Sequence, residues 1–298
     1  TLTRTVTTPI MGLGAATLKA SIDYESAFAG VRKTVDATGE DAEAFFEGLS
    51  DSVIEMSKRL ATGAGEIAGV MEIAGQLGIA NEELEGFTET IIRLGMSTNM
   101  ASEEAASQMA RFANITGMQQ DQFEVMGSTL VYLGNTMATT EAEIMTMAMR
   151  IAAAGSQVGL SDQHIMGFAA ALSSLGIAAE AGGSAFSKAL RLMEIAVATG
   201  SDALGDFAKV AGLTEKEFAA LWKSNPAGAF AAFIGGLSKM DEAGMSAIAT
   251  LDEIGITELR LSDTLLRSAG AAEMIAEAQA GANMAWSEGE ALMKESNT

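Results

Sequence analysis

His164 is the only histidine in the 298-residue chain, and there is no cysteine. A two-histidine metal site, a thiol nucleophile, Cys-ligated zinc and disulfides are therefore excluded. His164 could in principle act as a general base, but no serine–histidine–acid arrangement follows from the spacing. It stands beside the apolar stripe of its helix, where two related segments carry Glu83 and Gln122, so a half-exposed surface histidine is expected. Two acidic stretches, "GEDAEAFFEG" and "NEELEG", could supply the paired carboxylates of glycoside cleavage. Helical spacing instead puts Glu82, Glu85 and Glu89 opposite Leu84, Phe87 and Ile91, which predicts a solvated face. No oxygen-rich calcium loop of the EF-hand kind occurs. The "TGAGEIAG" stretch holds Gly65 and Gly69 in GxxxG spacing but lacks the Gly-Lys-Ser/Thr ending that cradles a phosphate; close helix packing and a turn before a helix are both compatible with it. No catalytic, cofactor-binding or metal-binding residue is assigned, and an enzyme is not expected.

The elements that would carry such groups are written in the glycines. "GIANEELEGFTETIIRLG", "GMQQDQFEVMGSTLVYLG" and "GLSDQHIMGFAAALSSLG" each run 17 positions from glycine to glycine: Gly78 to Gly95, Gly117 to Gly134, and Gly159 to Gly176. Offsets 6, 9, 13 and 16 from the leading glycine hold Leu84, Phe87, Ile91 and Leu94 in the first. The second gives Phe123, Met126, Leu130 and Leu133; the third gives Ile165, Phe168, Leu172 and Leu175. This i, i+3, i+7, i+10 spacing draws one stripe along an amphipathic helix. The six glycines fall outside the stripe and are expected to be turns that use positive φ.

A second helix follows each glycine-bounded segment, with Ala105, Met109 and Phe112, then Ile144, Ala148 and Ile151, then Phe186, Leu190 and Met193 on its stripe. Ser102 and Thr140 are expected as N-caps. The unit is thus a helical hairpin, recurring at 39 and then 42 residues, and such a period predicts stacked helix pairs. The expected fold is all-α, an elongated multi-helix array of helical hairpins with repeats of ~40 residues and no β-sheet. Three regions are expected: N-terminal helices over 1–77 (13–37, 41–61 and 65–77), three hairpin repeats over 78–200, and a helical extension over 201–298. In the last, Asn225-Pro226 breaks a helix, and 271–294 reads as one helix still running where the segment ends.

Composition agrees. The chain has two prolines, 5% aromatics and 48% hydrophobic residues, which favours helix over strand and excludes disorder. A net charge of −21, from 39 acids against 18 bases, repels phosphate and argues against sequence-specific nucleic-acid binding. The start lacks an initiator Met and signal-peptide order, so the chain reads as a piece of a longer polypeptide. The uncharged runs Ile165–Ala179 and Ser224–Ser238 are shorter than the ~20 apolar residues a membrane span needs. Buried helices are expected there; membrane activity after a large rearrangement stays open. Many of the 19 methionines fall on stripes as adaptable core filler.

Several blocks then resemble one family in order. "VTTPIMGLGAATLKASIDYESAFAGVRKT" resembles the start of the core region of phage tail tape measure proteins of the TP901 type, including the step from Asp23 to Ala27. "MSKRLATGAGEIAGVMEIAGQLGI", "AAAGSQVGLSDQHIMGFAAALSSLGIAAEAGGSAFSKALRLM" and "LDEIGITELRLSDTLLRSAG" are similar to its following blocks. The resemblance covers nearly the whole chain and brings no catalytic residue with it. It implies a helical protein in the tail-tube lumen or at the tail tip of the virion, made in the host cytoplasm, whose length sets tail length and which takes part in genome ejection. The implied partners are tail tube and tail-tip proteins, tail assembly chaperones and further copies of itself, with host-membrane contact during ejection left open. Glycine-punctuated hairpins differ from a uniform helical rod, so this segment is expected to be a folded or foldable module of the ruler. An α-solenoid interaction scaffold and a membrane-perturbing segment are the alternatives.

Overall fold

The structure is a computed structural model that describes residues 24–38, 41–240 and 246–297. Helices joined by short turns account for them, and no strand occurs among the described residues. The chain is all-α. It divides into two compact units: one within 1–96 and 100–110, the other within 97–99 and 111–298. The divide falls inside the first hairpin, and not at 77/78 or 200/201 where the repeat pattern begins and fades.

In the first unit, α1 is helical over 24–34; the part of its expected span before residue 24, and the Pro-Ile-Met-Gly segment, lie outside the described residues. It is followed by α2 (Ala42–Arg59), α3 (Ala64–Gln76) and α4 (Leu84–Ser97), and α5 (Ser102–Thr116) begins in this unit. Helix α2 buries Phe46, Leu49, Val53 and Met56, the same i, i+3, i+7, i+10 stripe as the repeats. Helix α4 buries Leu84, Phe87, Ile91 and Leu94. Each side chain of this size stabilises by about 1.5–3 kcal/mol when fully buried.

The second unit continues with a 3₁₀ turn (Gln120–Gln122), α6 (Phe123–Thr136), α7 (Glu141–Gln157), α8 (Asp162–Ser174) and α9 (Ala179–Thr199). Then come α10 (Asp202–Val210), α11 (Glu215–Ser224), α12 (Pro226–Met240), α13 (Ala247–Glu253), α14 (Leu259–Ala269), α15 (Ala272–Glu288) and α16 (Ala291–Ser296). The break at Asn225-Pro226 separates α11 from α12: Pro226 takes the first helical position, and Asn225 Oδ1 accepts from Gly228 N at 2.9 Å. Helix α7 packs along both α8 and α9, while α14 returns to α9, α15 to α6 and α8, and α16 to α6. Contacts between consecutive hairpins alone therefore do not build this core. A continuous set of rings joins α8 to the extension: Phe168–Phe186 at 4.9 Å, Phe186–Phe230 at 4.5 Å, Phe230–Phe233 at 6.4 Å, Phe207–Phe233 at 5.3 Å, Phe207–Phe218 at 6.4 Å and Phe218–Trp222 at 6.4 Å between centroids. The region from 200 to 226 is thus part of the same core.

Four of the six expected turn glycines share one geometry. Gly78, Gly117, Gly159 and Gly176 have φ between 63° and 82°, and the residue after each donates its N–H to a carbonyl five residues back, as Ile79 N does to Ala74 O at 3.0 Å. This is the Schellman closure, and its apolar follower is buried each time: Ile79, Met118, Leu160 and Ile177. Gly212 and Gly255 repeat it.

Gly95 and Gly134 are not turns. They lie inside α4 and α6, where a Cβ at Gly95 would overlap Ser102 Oγ and one at Gly134 would overlap the Glu141 carboxylate. Close approach of the next helix start, not positive φ, requires glycine there. Three further expectations change. Leu175 is the half-buried C-cap of α8 rather than a stripe residue within it, because the helix ends at Ser174. Ser102 is the first residue of α5, and its hydroxyl donates to Glu66 Oε1 at 3.2 Å. The helix expected over 271–294 is cut at Gly289, which adopts φ 66° as the C-cap of α15.

Candidate functional site

Among the described residues no group of three or more His, Asp or Glu side chains is placed to hold a metal ion. His164 is half-buried near the start of α8, where its Nδ1 lies 2.9 Å from Ser161 Oγ. Its main-chain carbonyl accepts from Gln279 Nε2 of α15 at 2.9 Å. Burial pushes the imidazole pKa down, which keeps it neutral. A serine and a histidine three residues apart at a helix start form a local side-chain contact; a third, orienting acid on the ring is what a relay would need. Asp162, next in sequence, has its carboxyl pushed up by burial, with a hydrogen bond from Thr116 opposing.

The acidic stretches resolve into structural pairs. Arg32 reaches Glu43 with both terminal guanidinium nitrogens, at 2.9 and 2.8 Å, and that bonding holds the Glu43 carboxyl below its usual range. The Arg32 guanidinium also lies 5.0 Å from the centre of the Phe46 ring. Glu82 and Glu85 are exposed, as their spacing predicts, but Glu89 is half-buried. It bridges Arg59 (Nη2 to Oε2, 2.7 Å) and Arg93 (Nη2 to Oε1, 2.8 Å). Arg59 chiefly, then burial in opposition, then Arg93 set its pKa, with lowering the outcome. Arg93 is 6% exposed. A carboxylate held ionised between two cations cannot serve as the general acid of a glycosidase. The sequence reading missed this bridge; Arg93, two residues past stripe residue Ile91, was its visible signal.

Among the described residues of the second unit, Glu141 is the buried carboxylate, 9% exposed. Burial raises its pKa; its own backbone N–H lowers it, and the charge of Glu295 raises it again. Thr140 and Glu143 close the α7 N-terminus as a capping box, with Glu143 N donating to Thr140 Oγ1 at 3.3 Å and Thr140 N to Glu143 Oε2 at 3.1 Å. Gly69 of the GxxxG pair has nothing within 4 Å of where a Cβ would stand, so it is not a close-packing glycine. In the first unit Gly75 is, because its Cβ would meet Thr34 and Val35.

Clefts of the second unit include one of about 520 Å³ between α6 and α15, bordered by Tyr132, Met137, Met274 and Met284. Another, of about 650 Å³, is bordered by Lys209, Gly235, Lys239 and Thr250. No described helix is long and apolar enough to cross a membrane.

Polar groups here are used on helix caps, glycine-permitted approaches and inter-helix ion pairs, and the stripes on burial. That is the make-up of a helical structural protein. The chain belongs to the family of phage-related minor tail proteins, whose family model matches residues 50–255. It is therefore a phage tail protein. No curated protein and no solved structure matches it.

Proposed function

We propose that this chain is the core segment of a tail tape measure protein, which sets tail length during assembly and takes part in genome ejection. It acts without catalysing a reaction. The family match over 50–255 carries the reading, and the order of the resembling blocks supports it. The helices add a physical reason. Helices α3, α5, α7 and α8 end in glycine closures, so the segment can be held as packed units or drawn out as successive helices at ~1.5 Å per residue. Its partners on this reading are tail tube and tail-tip proteins, assembly chaperones and other copies of itself, in the tube lumen or tip of the virion. Helices α14–α16 pack back on α6, α8 and α9. That departs from a solenoid, in which each repeat touches only its neighbours. Mass spectrometry of purified tails before and after triggered genome release tests the proposal. Peptides from 78–200 should be present in intact tails and depleted in emptied ones. Their absence from intact tails overturns it.

A further inference from the structure

We infer that α15 and α16 form a strap that undocks as one piece from α6 and α8 while α7, α8 and α9 stay packed. The strap rejoins the second unit more than a hundred residues after the helices it covers, and it does so through small residues. Of α15, Ile275, Ala278, Gly281, Ala282 and Ala285 are buried. Gly281 lies under the Tyr132 ring, and a Cβ at Gly167 of α8 would come within 3.1 Å of Ala278 O. Such contacts bring backbones close but remove little apolar surface from water, so undocking costs less than separating helices that meet through Leu, Met and Phe.

The interface also carries defects. Gln279 spends Nε2 on the His164 carbonyl and leaves a buried Oε1 without a partner. The Glu141 and Glu295 carboxylates repel each other across the α16 contact, and the 520 Å³ cleft runs beside the α6–α15 seam.

Against these stand a long bond from Asn135 Nδ2 to Glu295 Oε2 at 3.4 Å and one buried hook. Ser128, fully buried in the middle of α6, donates Oγ–H to Gly289 O at 2.8 Å and accepts from Leu292 N at 3.3 Å. It thereby seizes the turn between the two strap helices, with Leu292 buried beside it. A long seam of small side chains, carrying these defects and latched at the turn between its two helices, is the construction of a strap that opens. The inference stands without the tape measure reading, because it is read on the isolated chain.

Hydrogen exchange tests it. Amides within 272–297 should exchange together, roughly tenfold or more faster than those of α7. The chain has no cysteine of its own, so a double Val125→Cys, Gly289→Cys variant gives one defined crosslink. A Cβ at position 289 would lie 3.1 Å from Val125 Cγ1, matching the ~3 Å from Cβ to the far sulfur across a disulfide; because any side chain is strained at φ 66° there, the reduced variant is the reference for the oxidised one. Oxidised, the variant should exchange the strap within about twofold of α7, and reduction should restore the difference. Ser128→Ala should accelerate the strap alone. Equal rates for strap and α7 in the parent chain overturn the inference, as does Ser128→Ala speeding both alike. A crosslink that forms and leaves the strap's exchange unchanged overturns it too.

Discussion

Two adjacent glycines in α12 make opposite predictions. Gly235 and Gly236 share a helix and a propensity, and replacing either with alanine gains about 1 kcal/mol from that alone. A Cβ at Gly235 meets nothing within 4 Å, whereas one at Gly236 would overlap the carbonyl oxygen of Val210 at the end of α10 and lie 2.6 Å from its carbon. That neighbour is backbone, so relief requires α10 to shift on α12. Such overpacking costs about 3 kcal/mol. Gly235→Ala should therefore stabilise by about 1 kcal/mol, a rise of roughly 2–4 °C for a unit of this size. Gly236→Ala should destabilise by about 2 kcal/mol, the overpacking less the propensity gain. Both tryptophans, Trp222 and Trp286, lie in the second unit, so a thermal melt followed by tryptophan fluorescence reads that unit. Equal stability of the two variants would refute the close seating of α10 against α12.

Other perturbations separate the remaining terms. Glu141→Gln should raise the melting temperature of the second unit at pH 7, with the advantage shrinking as pH falls toward 5. The reasoning is that a carboxyl raised in the folded state costs stability above its folded pKa and is relieved as it protonates; an advantage that grows on acidification contradicts this. Glu89→Ala should destabilise the first unit by about 2–3 kcal/mol, because Arg93 is buried against that carboxylate, measured by protease susceptibility of α2–α4. Thr140→Ala removes the capping box of α7 and should cost about 1 kcal/mol, read as a lower urea midpoint of tryptophan fluorescence.

Much of the fold was visible in period. The stripes from Leu84 to Leu94 and from Phe123 to Leu133 are buried throughout, because a 3.6-residue helix repeats its face on that spacing whatever residues lie between. Gly78 and Gly95 look alike in sequence yet differ in kind: one ends a helix with positive φ, the other admits Ser102 to the helix surface. Spacing cannot distinguish a glycine needed for its backbone from one needed for its missing side chain. The residue after the glycine separates only one case: Asn135 after Gly134 is polar, whereas Met96 after Gly95 is apolar like Ile79, Met118, Leu160 and Ile177 after the turn glycines, and only its exposure sets it apart. The return of α15 and α16 onto α6 and α8 had no local signal. It depends on Ser128, Gly167 and Gly289, small residues whose partners lie more than a hundred positions away.

Tail length tests the central claim most directly. Phage whose gene lacks residues 78–116 would lose α4 and α5, 39 residues in all. If the segment is part of the ruler, electron micrographs should show tails shorter by ~58 Å, at ~1.5 Å per residue. Tails of parental length on that phage would contradict it.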